Sequence, residues 1–129
     1  MAQVAFKELS HQVLGAVFSV HNILGPGLLE SAYHGALVIE FRRIGIPFST
    51  EKIYPLYYKG ELAGGYISDL VVADTIILEL KSVRQFTGAM EAQLINYLKL
   101  SGVPVGYLIN FRNTKVEWRR FIVTGGLGG

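Results

Sequence analysis

The sequence predicts an α/β protein, in which helices flank a central mixed sheet of about five strands. Two helical patterns open the chain, three strand patterns follow, and a third helix separates these from two final strands. The run ILELKSV, at residues 77–83, fixes the layers, because apolar residues occupy both of its faces. Such a strand needs helices on both sides of the sheet, so we expect the element order α-α-β-β-β-α-β-β.

The first two helices follow from apolar residues spaced three and four positions apart. This period predicts a helix over residues 4–23, which the glycines and proline of 25–27 end. A second helix is predicted from Leu28 to Ile44, and Gly45 stops it. Both helices therefore present one apolar stripe to the sheet.

The third helix and the strands follow from capping residues and turn residues. Thr87 is a predicted N-cap for a helix over 88–101, and Gly102 closes that helix. Lys59-Gly60 and Asn113 are predicted turns between strands. The predicted strands cover about 48–58, 61–72, 76–83, 104–111 and 115–123, and the glycine-rich end at 125–129 is expected to fray.

Length and composition exclude several classes of protein. The 129 residues suit one domain over 1–129, and half of them are hydrophobic while 17% are charged, which argues against disorder. The chain has no cysteine, so disulfides, thiolate zinc sites and cysteine nucleophiles are excluded. No signal peptide or long apolar run is visible, and the net charge is +2. We expect a soluble, cytoplasmic protein.

One acid and one base lie on the buried third strand. Strand side chains alternate between faces, so Glu79 and Lys81 share a face. Asp69 lies ten residues before Glu79 on the preceding strand. A two-residue turn at 73–74 would place Asp69 opposite Leu78, whereas a three-residue turn at 73–75, or a bulge, would place it opposite Glu79. We predict the second arrangement, with the two carboxylates about 5 Å apart.

Energetics give this arrangement two interpretations. Burying charges costs several kcal/mol each, and neighbouring carboxylates repel each other. A divalent cation such as Mg²⁺ would remove both penalties, because it takes oxygen ligands. The alternative is a structural ion pair of Lys81 with Glu79 or Asp69. The spacing of the three residues does not decide between the two interpretations.

The pattern Asp69…Glu79-x-Lys81 resembles the signature of the PD-(D/E)xK nucleases, with Ser68 in the place of the proline. Two further motifs add to this resemblance. Gly27, Glu30 and Tyr33 form the pattern that names the GxxExxY proteins, a group of small chains of that type.

The other motif is Q-x-x-x-Y, which Gln93 and Tyr97 form on the predicted helix after Lys81. This motif is similar to one found in RecB-type exonucleases. The resemblance runs from about Val20 to Arg120 and implies a restriction-endonuclease-like core.

The resemblance also implies a Mg²⁺- or Mn²⁺-dependent deoxyribonuclease, with exonuclease-like cleavage as the first expectation. The metal ligands would be Asp69, Glu79, the carbonyl of Leu80, and Glu30 from the second helix. Tyr33 is expected to pack against the site without taking part in the chemistry.

The resemblance assigns chemical roles to three more residues. Lys81 would orient the attacking water or stabilise charge on the phosphate. Gln93 would hydrogen-bond Lys81, a water or a phosphate, and Tyr97 would bond the DNA backbone. The alternative for Gln93 and Tyr97 is a purely structural pair.

Other functions stay open at this point. A junction-type endonuclease acting as a dimer and a non-catalytic module that binds nucleic acid or a protein partner both fit the sequence. RNA is an alternative substrate, and a homo-oligomer and a targeting partner are expected. The histidines at 11, 21 and 34 are interpreted as structural.

Overall fold

A computed structural model describes residues 2–123 of the chain. The predicted frayed end at 125–129 lies outside these residues. The helices are α1 (Ala2–Leu24), α2 (Glu30–Ile44) and α3 (Gly88–Ser101). The strands are β1 (Phe48–Thr50), β2 (Ile53–Tyr58), β3 (Glu61–Ile67), β4 (Leu70–Val72), β5 (Ile76–Lys81), β6 (Val105–Asn110) and β7 (Glu117–Ile122).

The helix ends follow the predicted signals closely. Gly45 and Gly102 adopt the left-handed conformation that ends α2 and α3. The Thr87 hydroxyl accepts a hydrogen bond from the Met90 amide at 3.2 Å, so the predicted N-cap of α3 is confirmed. Helix α2, predicted from about Leu28, begins at Glu30, because Leu29 is extended. Between residues 2 and 123, no helix is both long and apolar enough to cross a membrane.

The central sheet has five strands in the order β1-β4-β5-β6-β7. Strands β5 and β6 are parallel, and the other neighbouring pairs are antiparallel. The α/β architecture with a mixed five-stranded sheet is therefore confirmed. The parallel pair places the ends of β5 and β6 at the same edge of the sheet, where the candidate site lies.

The two long strands predicted over 48–58 and 61–72 are both broken, which corrects the prediction. Glu51 has a φ of 53° between β1 and β2, and the chain leaves strand geometry again at 68–69 between β3 and β4. Strands β2 and β3 pair only with each other, as a separate hairpin. Its turn is Lys59-Gly60, as predicted, with both φ values positive, as in the two-residue turns that match strand twist.

Two apolar clusters lie on opposite faces of the central sheet. The first joins α1 and α2 to the face that carries Leu78 and Leu80. The second joins α3 to the face that carries Ile77. Gly106 permits the close approach of α3, because a Cβ there would lie 3.0 Å from Leu98. The expectation that helices cover both faces of β5 is confirmed.

Candidate active site

The turn between β4 and β5 places Asp69 opposite Glu79. Leu70 pairs with Leu78 and Val72 with Ile76, which leaves the three residues 73–75 in the turn. The same register, continued by one residue, sets Asp69 beside Glu79, and this confirms the predicted three-residue turn. Asp69 itself precedes the first residue of β4, so its carboxylate lies at the end of the sheet.

Asp69 is held by hydrogen bonds from three separate segments. Its Oδ2 accepts from the Leu80 amide at 2.9 Å. Its carbonyl oxygen accepts from His34 Nε2 at 3.0 Å and from the Glu51 amide at 3.4 Å. Ser68, in the place of the signature's proline, directs its amide and its hydroxyl to the Lys52 carbonyl. These contacts fix the Asp69 backbone and, through the Leu80 amide, its carboxylate, which forms no ion pair with another residue between 2 and 123.

Glu79 is a buried carboxyl with only 8% of its surface exposed. Its Oε1 accepts a hydrogen bond from the Tyr66 hydroxyl. Burial raises the pKa of Glu79 to about 7, and the negative charge of Asp69 is the next largest cause. The hydrogen bond from Tyr66 and the positive charge of Lys81 lower this pKa by smaller amounts. The site therefore holds two carboxyl groups that cannot both ionise without cost near neutral pH.

An aromatic stack supports Glu79 on the α3 side. The rings of Tyr66 and Tyr97 stack with centroids 3.5 Å apart, and Tyr54 stacks on the other side of Tyr66 at 6.0 Å. Burial, then the charge of Glu79, raise the pKa of Tyr97, while a hydrogen bond from Gln93 lowers it. Gln93 and Tyr97 thus reach Glu79 through Tyr66.

Lys81 lies half-buried at the end of β5, on the same face as Glu79. The ion pairs found between residues 2 and 123 join Lys52 to Asp74 and Arg119 to Glu91, so neither alternative ion pair of Lys81 forms. The fully buried Asn110 lies opposite Lys81 in the register. Its side chain bonds both the amide and the carbonyl of Val83, which fixes the chain just after Lys81.

A cleft of about 240 Å³ opens beside the Asp69 carboxylate. A larger groove of about 700 Å³ adjoins it, and the two share Glu30 and Ser31 at the start of α2. The groove adds the cationic side chain of Arg112. The cleft is lined by Glu30, Ser31, His34, Glu51, Asp69 and Leu80.

The oxygen atoms at this end of the sheet suit a divalent cation that keeps several of its waters. Asp69, which lines the cleft, and the buried Glu79 next to it in the register supply two carboxylates. The Lys81 carbonyl accepts a hydrogen bond from the amide of Phe111, the residue just after β6. Neighbouring carbonyls of a strand alternate in direction, so the Leu80 carbonyl points the other way, to the side on which the Leu80 amide bonds Asp69. Among residues 2–123, no three His, Asp or Glu side chains group closely enough to hold a metal. Glu30 lies on the rim of the cleft without completing such a group.

Sequence reasoning missed three residues of this site. His34 was interpreted as structural, yet it lines the cleft and bonds Asp69. His34 lies four residues after Glu30 on the same helix, and this spacing, which places both side chains on one face, could have indicated its position. Tyr66 and Arg112 carried no local signal, because the hairpin fold and the end of β6 bring them to the site.

Two other buried residues bond backbone carbonyls of loops near the site. The buried His21 lies against the carbonyls of Phe111 and Asn113, at 3.2 and 2.9 Å. Tyr33 is fully buried and donates to the Gly25 carbonyl at 2.7 Å, which holds the loop before α2.

Comparison with known proteins gives a family and a fold. The profile of the PD-(D/E)XK nuclease superfamily matches residues 7–121. No curated protein matches this chain. The solved structure of SSO0001 is 18% identical with a TM-score of 0.56, and the match covers 98% of this chain and 62% of that one. The chain therefore spans less than two thirds of SSO0001.

Two structures of LHK-Exo, one of them with dAMP, show the same fold with TM-scores of 0.50. LHK-Exo is an alkaline exonuclease from Laribacter hongkongensis. The dAMP complex is 11% identical, and the match covers 84% of this chain and 76% of that one. The other structure is 9% identical, with 89% and 82% covered. The match of the superfamily profile to nearly the whole chain shows that this protein belongs to the PD-(D/E)XK nuclease superfamily.

Proposed function

We propose that this protein is a metal-dependent nuclease that hydrolyses phosphodiester bonds in DNA. The observation that carries the proposal is the pair of carboxyl groups, Asp69 and Glu79, at one end of the sheet, where Asp69 lines an open cleft. Glu79 is buried at a cost, since burial and Asp69 both disfavour its charged form. A bound cation would offset that cost, because a nearby positive charge favours the ionised carboxylate.

The cation would be Mg²⁺ or Mn²⁺, held by Asp69, Glu79 and the carbonyl of Leu80. When bound, such an ion supplies positive charge that polarises a phosphodiester and makes water a better nucleophile. The hydrogen bonds from His34 and the Leu80 amide hold Asp69 in place before any ion arrives. Glu30, on the rim of the cleft, is proposed to bind the ion through water.

Lys81 is a cationic side chain at the end of the strand that carries Glu79. It shares a face with Glu79 and forms no ion pair with a described residue, so its ammonium group is free to meet a phosphate. We assign it the stabilisation of charge on the phosphoryl oxygens or the orientation of the attacking water. The adjoining groove, with Arg112, would hold the neighbouring nucleotides of the same strand.

Gln93 and Tyr97 support an exonuclease-like activity only by resemblance and by the fold shared with an alkaline exonuclease. Their geometry suggests a positioning role. Tyr97 stacks on Tyr66, and the hydroxyl of Tyr66 holds Glu79. We therefore propose that the Gln93–Tyr97 pair keeps Glu79 oriented.

The test is hydrolysis of 5′- and 3′-labelled linear DNA, single- and double-stranded, in Mg²⁺ and in Mn²⁺. Glu79→Gln and Lys81→Ala should each lower the rate by roughly a thousandfold. Glu61→Gln is the matched control, because Glu61 is an exposed strand carboxylate far along the hairpin. It should cleave at the wild-type rate.

The label pattern separates the alternatives. Release of mononucleotides from one end indicates an exonuclease. A four-way junction built from the same labelled strands is included, and cleavage of that junction alone would favour the junction-type enzyme. A folded wild-type protein that cleaves none of these DNAs with either metal would contradict the proposal and favour a binding module.

A further inference from the structure

The outer face of the β2–β3 hairpin is an apolar surface that the described chain does not cover. Tyr54 and Tyr66 are paired on the inner face, toward Glu79 and α3. The pairing register, which shifts by one residue between Leu56 and Tyr57, then defines the outer face as Ile53, Pro55, Tyr57, Leu62, Gly65 and Ile67. Its four large side chains are between 61% and 67% exposed. Contiguous apolar surface of this kind marks an interaction site.

The chemistry of the outer face limits what can cover it. None of its six residues carries a charge. A nucleic acid is a poor occupant, because phosphate backbones are bound by lysine and arginine. A second copy of the same face is a good occupant, because two uncharged faces meet without like-charge repulsion or unpaired buried charge.

The size of the outer face also fits a second copy. Four large side chains at this exposure offer roughly 500 Å² per copy, or about 1,000 Å² in total, near the lower limit of specific interfaces. A two-stranded hairpin is marginally stable alone, while two hairpins stacked face to face form a four-stranded sandwich. This area predicts an association that reverses on dilution.

We propose that the outer face joins two copies of the chain about a two-fold axis. The contact would help to fix the position of Tyr66, whose hydroxyl bonds Glu79, because Tyr66 directly precedes the outer-face residue Ile67. This proposal does not depend on the proposed nuclease activity, because association is measured without a substrate.

The hairpin supplies a matched pair of residues for the test. Tyr57 and Tyr58 are neighbours of the same type with exposures of 62% and 65%, and they point to opposite faces. Sedimentation velocity over a dilution series should show the wild-type protein with twice the mass of one chain at the highest concentrations. Tyr57→Lys should reduce the mass to that of one chain, and Tyr58→Lys should not.

Leu62→Lys is a second outer-face variant and should also give a single chain. Circular dichroism melting of each variant confirms that it is folded, which exposed positions favour. A wild-type protein that stays monomeric throughout the series overturns the proposal. So does a dimer that survives Tyr57→Lys and Leu62→Lys, or one that Tyr58→Lys dissociates equally.

Discussion

The β5 strand and the β2–β3 hairpin are both rich in apolar residues, yet they have opposite environments. Five of the six residues of β5 are buried, whereas Tyr66 is the only buried residue of the hairpin. The difference comes from the neighbours, since β5 has strands on both sides and helices on both faces. An apolar strand therefore shows that a surface needs covering, but not what covers it.

The two regions are joined by a hydrogen bond as well as by apolar packing. Tyr66 reaches from the inner face of the hairpin to the buried carboxyl of Glu79 on β5. The central sheet thus supplies the carboxyl group of Glu79, whose burial disfavours its charged form. The exposed hairpin supplies the hydrogen bond from Tyr66 that orients this carboxyl group. Substitutions in the two regions should separate the stability of the fold from the geometry of the site.

The largest difference in stability is expected between Ile77→Ala and Ile67→Ala. Ile77 is fully buried in β5, so its truncation should lower the free energy of unfolding by about 2–5 kcal/mol. Ile67 is 61% exposed, and its truncation should cost roughly 0.5 kcal/mol or less. Urea unfolding of dilute protein measures both, since dilution removes any contribution from association. Equal losses at the two positions would contradict the assigned environments.

A smaller effect on the free energy of unfolding is expected for Glu79→Gln, and this substitution should raise stability instead of lowering it. The folded pKa of Glu79 is about 7, above its ordinary value of 4.5. The stability of the wild-type protein should therefore fall as pH rises from about 4.5 through 7, because the buried carboxyl must ionise. Glutamine cannot ionise, so at about pH 8 without metal the variant should be more stable by up to roughly 3 kcal/mol.

Urea midpoints at about pH 4 and pH 8, with a chelator present, check the pH dependence of Glu79→Gln. The difference in stability between Glu79→Gln and the wild-type protein should disappear at the lower pH. Glu61→Gln, an exposed change of the same chemistry, should leave the midpoint unchanged at both values. A constant gap at both pH values would show that ionisation of Glu79 is not its cause.

The smallest effect is expected from removing a single hydroxyl group, in Tyr66→Phe compared with Tyr54→Phe. Tyr54 and Tyr66 are paired with each other on the inner face of the hairpin. Tyr66 donates to Glu79, so loss of its hydroxyl should slow hydrolysis by roughly 10- to 100-fold, the value of a hydrogen bond to a charged group. The Tyr54 hydroxyl is buried without a partner among residues 2–123, so its loss should leave the rate unchanged. Steady-state hydrolysis of labelled DNA distinguishes the two variants, and equal rates would remove Tyr66 from the site.

Local signals predicted much of the fold. The bounds of α3, its Thr87 cap and the three-residue turn that aligns Asp69 with Glu79 all follow from residues close together in the sequence. The breaks at Glu51 and at 68–69 were missed, because Glu51 adopts a positive φ that its residue type does not announce. The hairpin therefore could not be separated from the central sheet by periodicity alone.

The candidate site depends on the sequence motif and on the fold in different degrees. The motif supplied Asp69, Glu79 and Lys81, which the register brings to one edge of the sheet. His34 and Tyr66 come from elements that only the three-dimensional fold places beside these carboxylates. Sequence spacing fixes contacts within a helix or a hairpin, but not contacts between distant elements.

Direct measurement of metal binding tests the central claim, that Asp69 and Glu79 form a cation site. Titration of the protein with Mn²⁺, followed by electron paramagnetic resonance, counts bound ions without any need for activity. The account predicts that the wild-type protein and Lys81→Ala bind Mn²⁺ at this site, and that Asp69→Asn and Glu79→Gln each lose this binding. Binding that is absent in the wild-type protein, or unchanged in both carboxylate variants, would contradict the account.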